Sequence, residues 1–187
     1  MYKLCKTEQS ALRQRQLEQG LLQAMGEQQY EDISISDLCD RLGVPRKSFY
    51  RYFSNKDGAL FALLDHTLME FHQIDIEEGT MDGAQSDLTR FFVFWYGRRD
   101  LLTALQRSRL SGLLVERAKF HALHERLMPE YLLKKDGIVQ QMSITFTVSG
   151  LLSMVLSWHN DGYRESPKKM AQIAESMLTK PLWPSPK

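Results

Sequence analysis

Between Arg41 and Lys56 the chain carries five cations, Arg41, Arg46, Lys47, Arg51 and Lys56, and no acid. The same window holds four aromatic rings, Phe49, Tyr50, Tyr52 and Phe53. Asp40 and Asp57 stand just outside it. Guanidinium, ammonium and hydroxyl groups at this density suit a polyanion. Arg and Lys donate to guanine acceptors, Ser reads either kind of edge, and all of them bind phosphate oxygens. The net charge of the whole chain is only +1, so the basic character is local. A charge run of this kind also serves as an ordinary solvated face.

Such groups read DNA only if rigid elements present them. The flanking pattern supplies two short helices joined by a glycine-containing turn, "LGVP". Ser34, with Asp37 three residues on, has the form of a capping box and opens the first of the two. Its apolar face is Ile35, Leu38, Cys39 and Leu42, and Gly43 ends it. Pro45 opens the next helix, where a missing N–H does no harm. In a helix-turn-helix the N-terminal residues of the second helix meet base edges, which assigns that task to Pro45, Arg46, Lys47 and Ser48. Phe49 and Phe53, four residues apart, pack on the supporting helices. Tyr50 and Tyr52 turn their hydroxyls to phosphate. Lys56 stands in the first turn of a further helix starting at Ser54, where its ammonium and the free amides hold phosphate. Ser34 does the same at its own helix start.

Nearly everything else reads as helix, and alternating strand patterns are absent. A first helix runs from about Thr7 to Gln28, with Leu17, Leu21, Ala24 and Met25 on one face. The helix from Ser54 buries Leu60, Leu63, Leu64, Leu68 and Phe71, and tolerates Gly58 at about 1 kcal/mol relative to Ala. The stretch 77–83 breaks the chain. Further helices cover Asp87–Tyr96, Leu101–Leu114, the surroundings of His121, Ile138–Asn160 and Pro167–Leu178, before a proline-rich tail.

Met142 to Trp158 carries no charge, but its 17 residues include four serines, two threonines and a glycine. It falls short of the ~20 apolar residues of a membrane span and reads as a core or interface helix. The N-terminus has no apolar region of a signal peptide, so the chain is expected to be cytoplasmic, with no membrane partner. Cys39 packs as a small hydrophobe, and the two cysteines form no disulfide framework. No nucleophile elbow, phosphate loop or cofactor fingerprint occurs, so neither catalysis nor a cofactor is expected. His121, His124 and Glu125 invite a metal reading, but spacing marks no further ligands, and no metal site is assigned.

The aromatic run Phe91 to Tyr96 is the pocket candidate of the later helices. Phe91, Phe94 and Trp95 form an apolar wall, and Arg98 offers a charge to orient a ligand. No acid lies between Leu88 and Arg99, which suits an apolar or flat aromatic molecule with an anionic group better than a cation. The same spacing equally serves a core, in which case Trp95 is structural.

The segment "YEDISISDLCDRLGVPRKSFYRYFSNKDGALFALL" closely resembles the DNA-binding region of the TetR family of transcriptional regulators. The resemblance rests on Tyr30, Ser34, Gly43, Val44, Ser48, Tyr50, Tyr52, Phe53, Lys56 and Asp57, and spans residues 8 to 65. Pro45 departs from it, since the family commonly places Ser or Thr there. That removes a side-chain cap and an N–H that can touch phosphate. The resemblance implies an all-α fold with a three-helix helix-turn-helix head, residues 1–55, and a helical body, residues 56–187. It further implies a homodimer joined through the last two long helices, double-stranded DNA with a palindromic operator as partner, and an unknown small-molecule effector in the body. The alternatives are a similar head governed by a protein partner and, more remotely, an all-helical enzyme.

Overall fold

The computed structural model describes residues 2, 3, 5, 7–78, 84–124 and 137–179, without the side chains of 74–78 and 84–86. Residues 79–83 of the expected break, Glu125 and the proline-rich tail lie outside this range. Nine α-helices occur among the described residues: α1 Glu8–Glu27, α2 Ile35–Arg41, α3 Arg46–Tyr52, α4 Lys56–Glu78, α5 Ala84–Tyr96, α6 Arg99–Arg107, α7 Ser111–His124, α8 Gly137–Asn160 and α9 Pro167–Thr179. A single 3-10 turn, Tyr30–Asp32, separates α1 from α2.

The Thr7 hydroxyl accepts from the Ser10 amide and starts α1, which buries Leu17, Leu21, Ala24 and Met25 as the periodicity requires. Ser34 caps α2. Gly43 follows it at φ +62, the left-handed position that costs glycine nothing. Its N–H bonds the Asp40 carbonyl at 3.1 Å and that of Val44 bonds Cys39 at 3.0 Å, so two orphan carbonyls of α2 are satisfied in a Schellman turn. Gly20 lets α1 close on the end of α2, since a Cβ there would sit 2.5 Å from Leu42 Cδ1.

Three local readings need correction. Pro45 is the residue before α3 rather than its first helical residue, and it makes no side-chain cap. Asn55, not Ser54, caps α4, with its Oδ1 accepting from the Gly58 amide at 2.8 Å. The helix expected over Leu101–Leu114 is two, α6 and α7, broken at Ser108–Leu110. Arg109 stands there at φ +58, with no glycine or proline to announce the turn. The Ser108 hydroxyl instead accepts the Tyr30 amide at 3.0 Å, and that tertiary contact occupies the break.

α1 packs on α4 and α6, α4 on α7, α7 on α8 and α9 on α5, around one contiguous core. The α1–α6 contact joins the first helices to the later ones, reinforced by Arg107 Nη1 donating to the Gly26 carbonyl at 2.6 Å. α8 buries Ile144, Leu152, Val155 and Trp158. It leaves Ile138, Val139, Met142 and Phe146 exposed, and on α9 Ile173, Met177 and Leu178 are likewise exposed. By length and composition α8 is also the one described helix long and apolar enough to cross a membrane.

Candidate nucleic-acid interface

α3 separates its side chains into two sets. Phe49 and Phe53 are fully buried, their ring centroids 5.1 Å apart, and they hold the helix against its support. Pro45, Arg46, Lys47 and Arg51 are exposed, and Ser48 is half-buried. Tyr50 is 45% exposed, and Arg46 stands one turn earlier on the same helix. Tyr52 differs from expectation. It is only 7% exposed and packs against Phe53, because its position at the end of the helix points into the core rather than out of it.

Ser34 and Lys56 are both already engaged. The Ser34 hydroxyl accepts from the Asp37 amide at 3.0 Å and donates to the Asp37 carboxylate at 2.7 Å. The Lys56 ammonium donates to the carbonyls of Tyr30, Glu31 and Ile33, using all three of its protons, and lies 4.3 Å over the Tyr30 ring. The outward phosphate contact expected of Lys56 is therefore not what the structure shows. Lys56 ties the start of α4 to the 3-10 turn. Burial lowers its pKa, with Glu31, Asp57 and Asp32 opposing that shift. Tyr30 completes the junction by donating to Asp57 Oδ1 at 2.6 Å, and burial together with that bond pushes its phenol well up. Lys56 and Tyr30 thus tie the start of α4 to the turn ahead of α2, while Ser34 acts within the start of α2.

The aromatic run of α5 is packed rather than open. Trp95 is 1% exposed, with Phe94 and Phe91 at 5.4 and 6.4 Å in edge contacts, and Phe71 of α4 lies 5.2 Å from Phe94. Arg98 donates to Glu70 of α4 at 2.9 Å and covers the Phe94 ring at 4.7 Å. An acid from another helix thus stands beside the charge that the sequence offered to an anionic ligand. A cleft of about 630 Å³ lies on the outer face of α1, lined by Leu12, Arg13, Gln16, Gln23, Leu42 and Val44. It is open, and polar and apolar groups share its lining about evenly, unlike the enclosed apolar sites that take small molecules.

One cluster had no signal in the spacing. Asp65 of α4 has no exposed surface and receives Arg117 Nε at 2.6 Å, a second Arg117 nitrogen, and the Tyr2 hydroxyl at 2.8 Å. His121 Nε2 stands 2.8 Å from Asp65 Oδ1, the oxygen that Arg117 Nε also bonds. Burial alone would raise the Asp65 pKa. The bonds from Arg117, His121 and Tyr2 and the Arg117 charge outweigh it and hold the carboxyl below its ordinary value. His121 therefore serves a carboxylate, while His124 bonds the Phe120 carbonyl and stacks on its ring. Among the described residues no three His, Cys, Asp or Glu side chains are grouped to hold a metal.

The helical head, its basic short helix and the helical body define a DNA-binding regulator of transcription. The sequence model of the bacterial regulatory proteins, tetR family, matches residues 20–63, and that of a transcriptional regulator C-terminal region matches 89–180. The chain belongs to the TetR family of transcriptional regulators. No curated protein matches the sequence. Among solved structures, the fatty acid degradation regulator FadR from Bacillus halodurans is similar at TM-score 0.66 and 17% identity, covering 96% of this chain and 98% of its own. The dihydroxyacetone kinase operon activator DhaS is similar at TM-score 0.60 and 15% identity, with 90% and 94% covered. FadR from Bacillus subtilis, solved with stearoyl-CoA, is similar at TM-score 0.53 and 16% identity, with 88% and 97% covered. At these identities the likeness is one of fold.

Proposed function

We propose that the chain is a homodimeric, effector-controlled regulator that reads a palindromic operator with α3 and holds phosphate with Tyr50 and the first turn of α4. The observation that carries this is the exposed basic face of α3, with Pro45, Arg46, Lys47 and Ser48 leading and two buried phenylalanines locking the helix behind them. Repression is the simplest sign of control, although the neighbour DhaS is named an activator. Selection of duplexes from a random pool by the purified protein tests the reading, and recovery of no symmetric motif would sink it. Against the selected duplex, Lys47→Ala is expected to lose about 1–3 kcal/mol, as for a base contact. Random DNA should lose far less, because a base-reading residue adds little to binding that is sequence-independent. Equal losses on both would remove Lys47 from the reading set.

The dimer is assigned to α8 and α9. Phe146 is 63% exposed in the single chain and follows Met142, Val139 and Ile138 along one apolar stripe. Gly150, further along α8, has no heavy atom near its Cβ position, so a second helix can approach there. A contiguous exposed apolar stripe is the kind of surface that marks a protein–protein interface. Phe146→Glu is expected to convert a micromolar dimer to monomer in sedimentation velocity. A native chain that sediments as a monomer would remove both the interface and the two-fold operator.

The effector is an apolar small molecule taken up by the body beside the aromatic run of α5, with Phe91, Phe94 and Arg98 nearer the ligand and the buried Trp95 supporting that wall from behind. FadR from Bacillus subtilis, solved with stearoyl-CoA, offers an apolar chain on an anionic carrier as the first ligand to try. Binding would favour one arrangement of the two heads and shift the population away from the operator-competent form. Release of the selected duplex on adding stearoyl-CoA, but not CoA alone, is the outcome that supports this ligand class.

A further inference from the structure

Tyr2 and Lys3 run against the reading helix. The Lys3 amide donates to the Tyr52 carbonyl at 2.9 Å, and Tyr2 forms an isolated antiparallel bridge with Phe53. Tyr52 is the last residue of α3, so its carbonyl has no partner within the helix. In extended backbone successive side chains alternate. Lys3 is accordingly exposed, while Tyr2 turns inward, donates to Asp65 at 2.8 Å and sets its ring edge-on to His66 at 5.8 Å. The arm therefore grips the end of α3 and is itself anchored inside α4, on the carboxylate that also holds Arg117 and His121 of α7.

A helix of seven residues does not persist on its own, since isolated helices below ~12–15 residues are marginal. α3 depends on Phe49 and Phe53 from below and on whatever fixes its two ends. The turn through Gly43 fixes one end. We propose that the N-terminal arm is the brace of the other, with Tyr2 and Lys3 as positioning residues for DNA reading. The brace rests on α3 being the reading helix. It keeps α3 in its bound conformation before DNA arrives, so less ordering remains to be done on binding.

Two variants remove the brace at different points. Tyr2→Phe keeps the ring and deletes the hydroxyl, leaving Asp65 its Arg117 and His121 partners. Lys3→Pro deletes the amide proton that Tyr52 accepts. Hydrogen exchange on the DNA-free protein, read by mass spectrometry, should be faster over residues 46–53 in both variants and unchanged in α5 and α9. Unaltered exchange over 46–53 in both variants would overturn the brace. On the duplex selected by the native protein, each variant should bind on the order of tenfold more weakly, as for loss of one hydrogen bond. For Tyr2→Phe, which removes no charge, the slope of affinity against salt should stay unchanged. The double variant should lose no more than the weaker single one, since both cut one brace. A matching loss on a scrambled duplex, tracking a fall in melting temperature, would make the arm a general stabiliser and overturn the positioning role. If the native protein selects no duplex, the DNA reading of α3 fails, while the exchange result still decides the brace.

Discussion

Trp95→Ala is expected to lower the stability of the protein by about 3–5 kcal/mol, the range for truncating a large buried aromatic. For a chain of this length each kcal/mol moves the melting temperature by about 2–4 °C, so a fall of roughly 10 °C should be seen. The reason is position. Trp95 is among the largest fully buried side chains, and its edge contacts with Phe91 and Phe94 lie in the layer where α5 meets α4. Selected-duplex binding should fall with the melt. Trp95→Phe should cost far less, because it keeps a ring and deletes an indole N–H that finds no acceptor among the described residues. An unchanged melting temperature for Trp95→Ala, with loss of effector response alone, would return Trp95 to a pocket wall.

Arg117→Met should cost a similar amount at neutral pH, about 3–5 kcal/mol, because it strands a buried carboxylate. The pH dependence identifies the cause. In the native protein Asp65 has a depressed pKa, so its contribution is present above the unfolded value near 3.8 and is lost as pH falls through the lower folded one. In the variant the carboxyl keeps its burial and loses its main partner, so its folded pKa rises above the unfolded one. The penalty is then full above that raised pKa and fades as acid neutralises Asp65. Denaturation of both proteins between neutral and acid pH should show the two stabilities converging as pH falls. A penalty that stays constant down to acid pH would mean that Arg117 matters for packing and not for charge.

Much of the head was legible because its causes are local. A capping serine, a left-handed glycine and phenylalanines four residues apart each act within a turn or two, and each stands in the structure where the spacing put it. Tyr52 and Lys56 stand apart from the phosphate role expected of them for one common reason. Residue type said that a phenol or an ammonium can bind phosphate, but not that the core or three carbonyls would take it first. The aromatic run of α5 was ambiguous by nature, since a wall for a ligand and a wall for a neighbouring helix have the same period.

By itself, then, the order of residues determined the all-helical architecture, the helix-turn-helix and the basic face of α3. Those follow from periodicity, capping and turn chemistry acting over a few residues. Only the tertiary structure decided which of the polar groups remain free. Asp65, Arg117 and Tyr2 lie 52 and 63 residues apart along the chain. No local pattern relates them, and only the packing of α4 on α7 and on the N-terminal arm brings them within hydrogen-bond reach. The cost of burying a charge then makes their pairing obligatory.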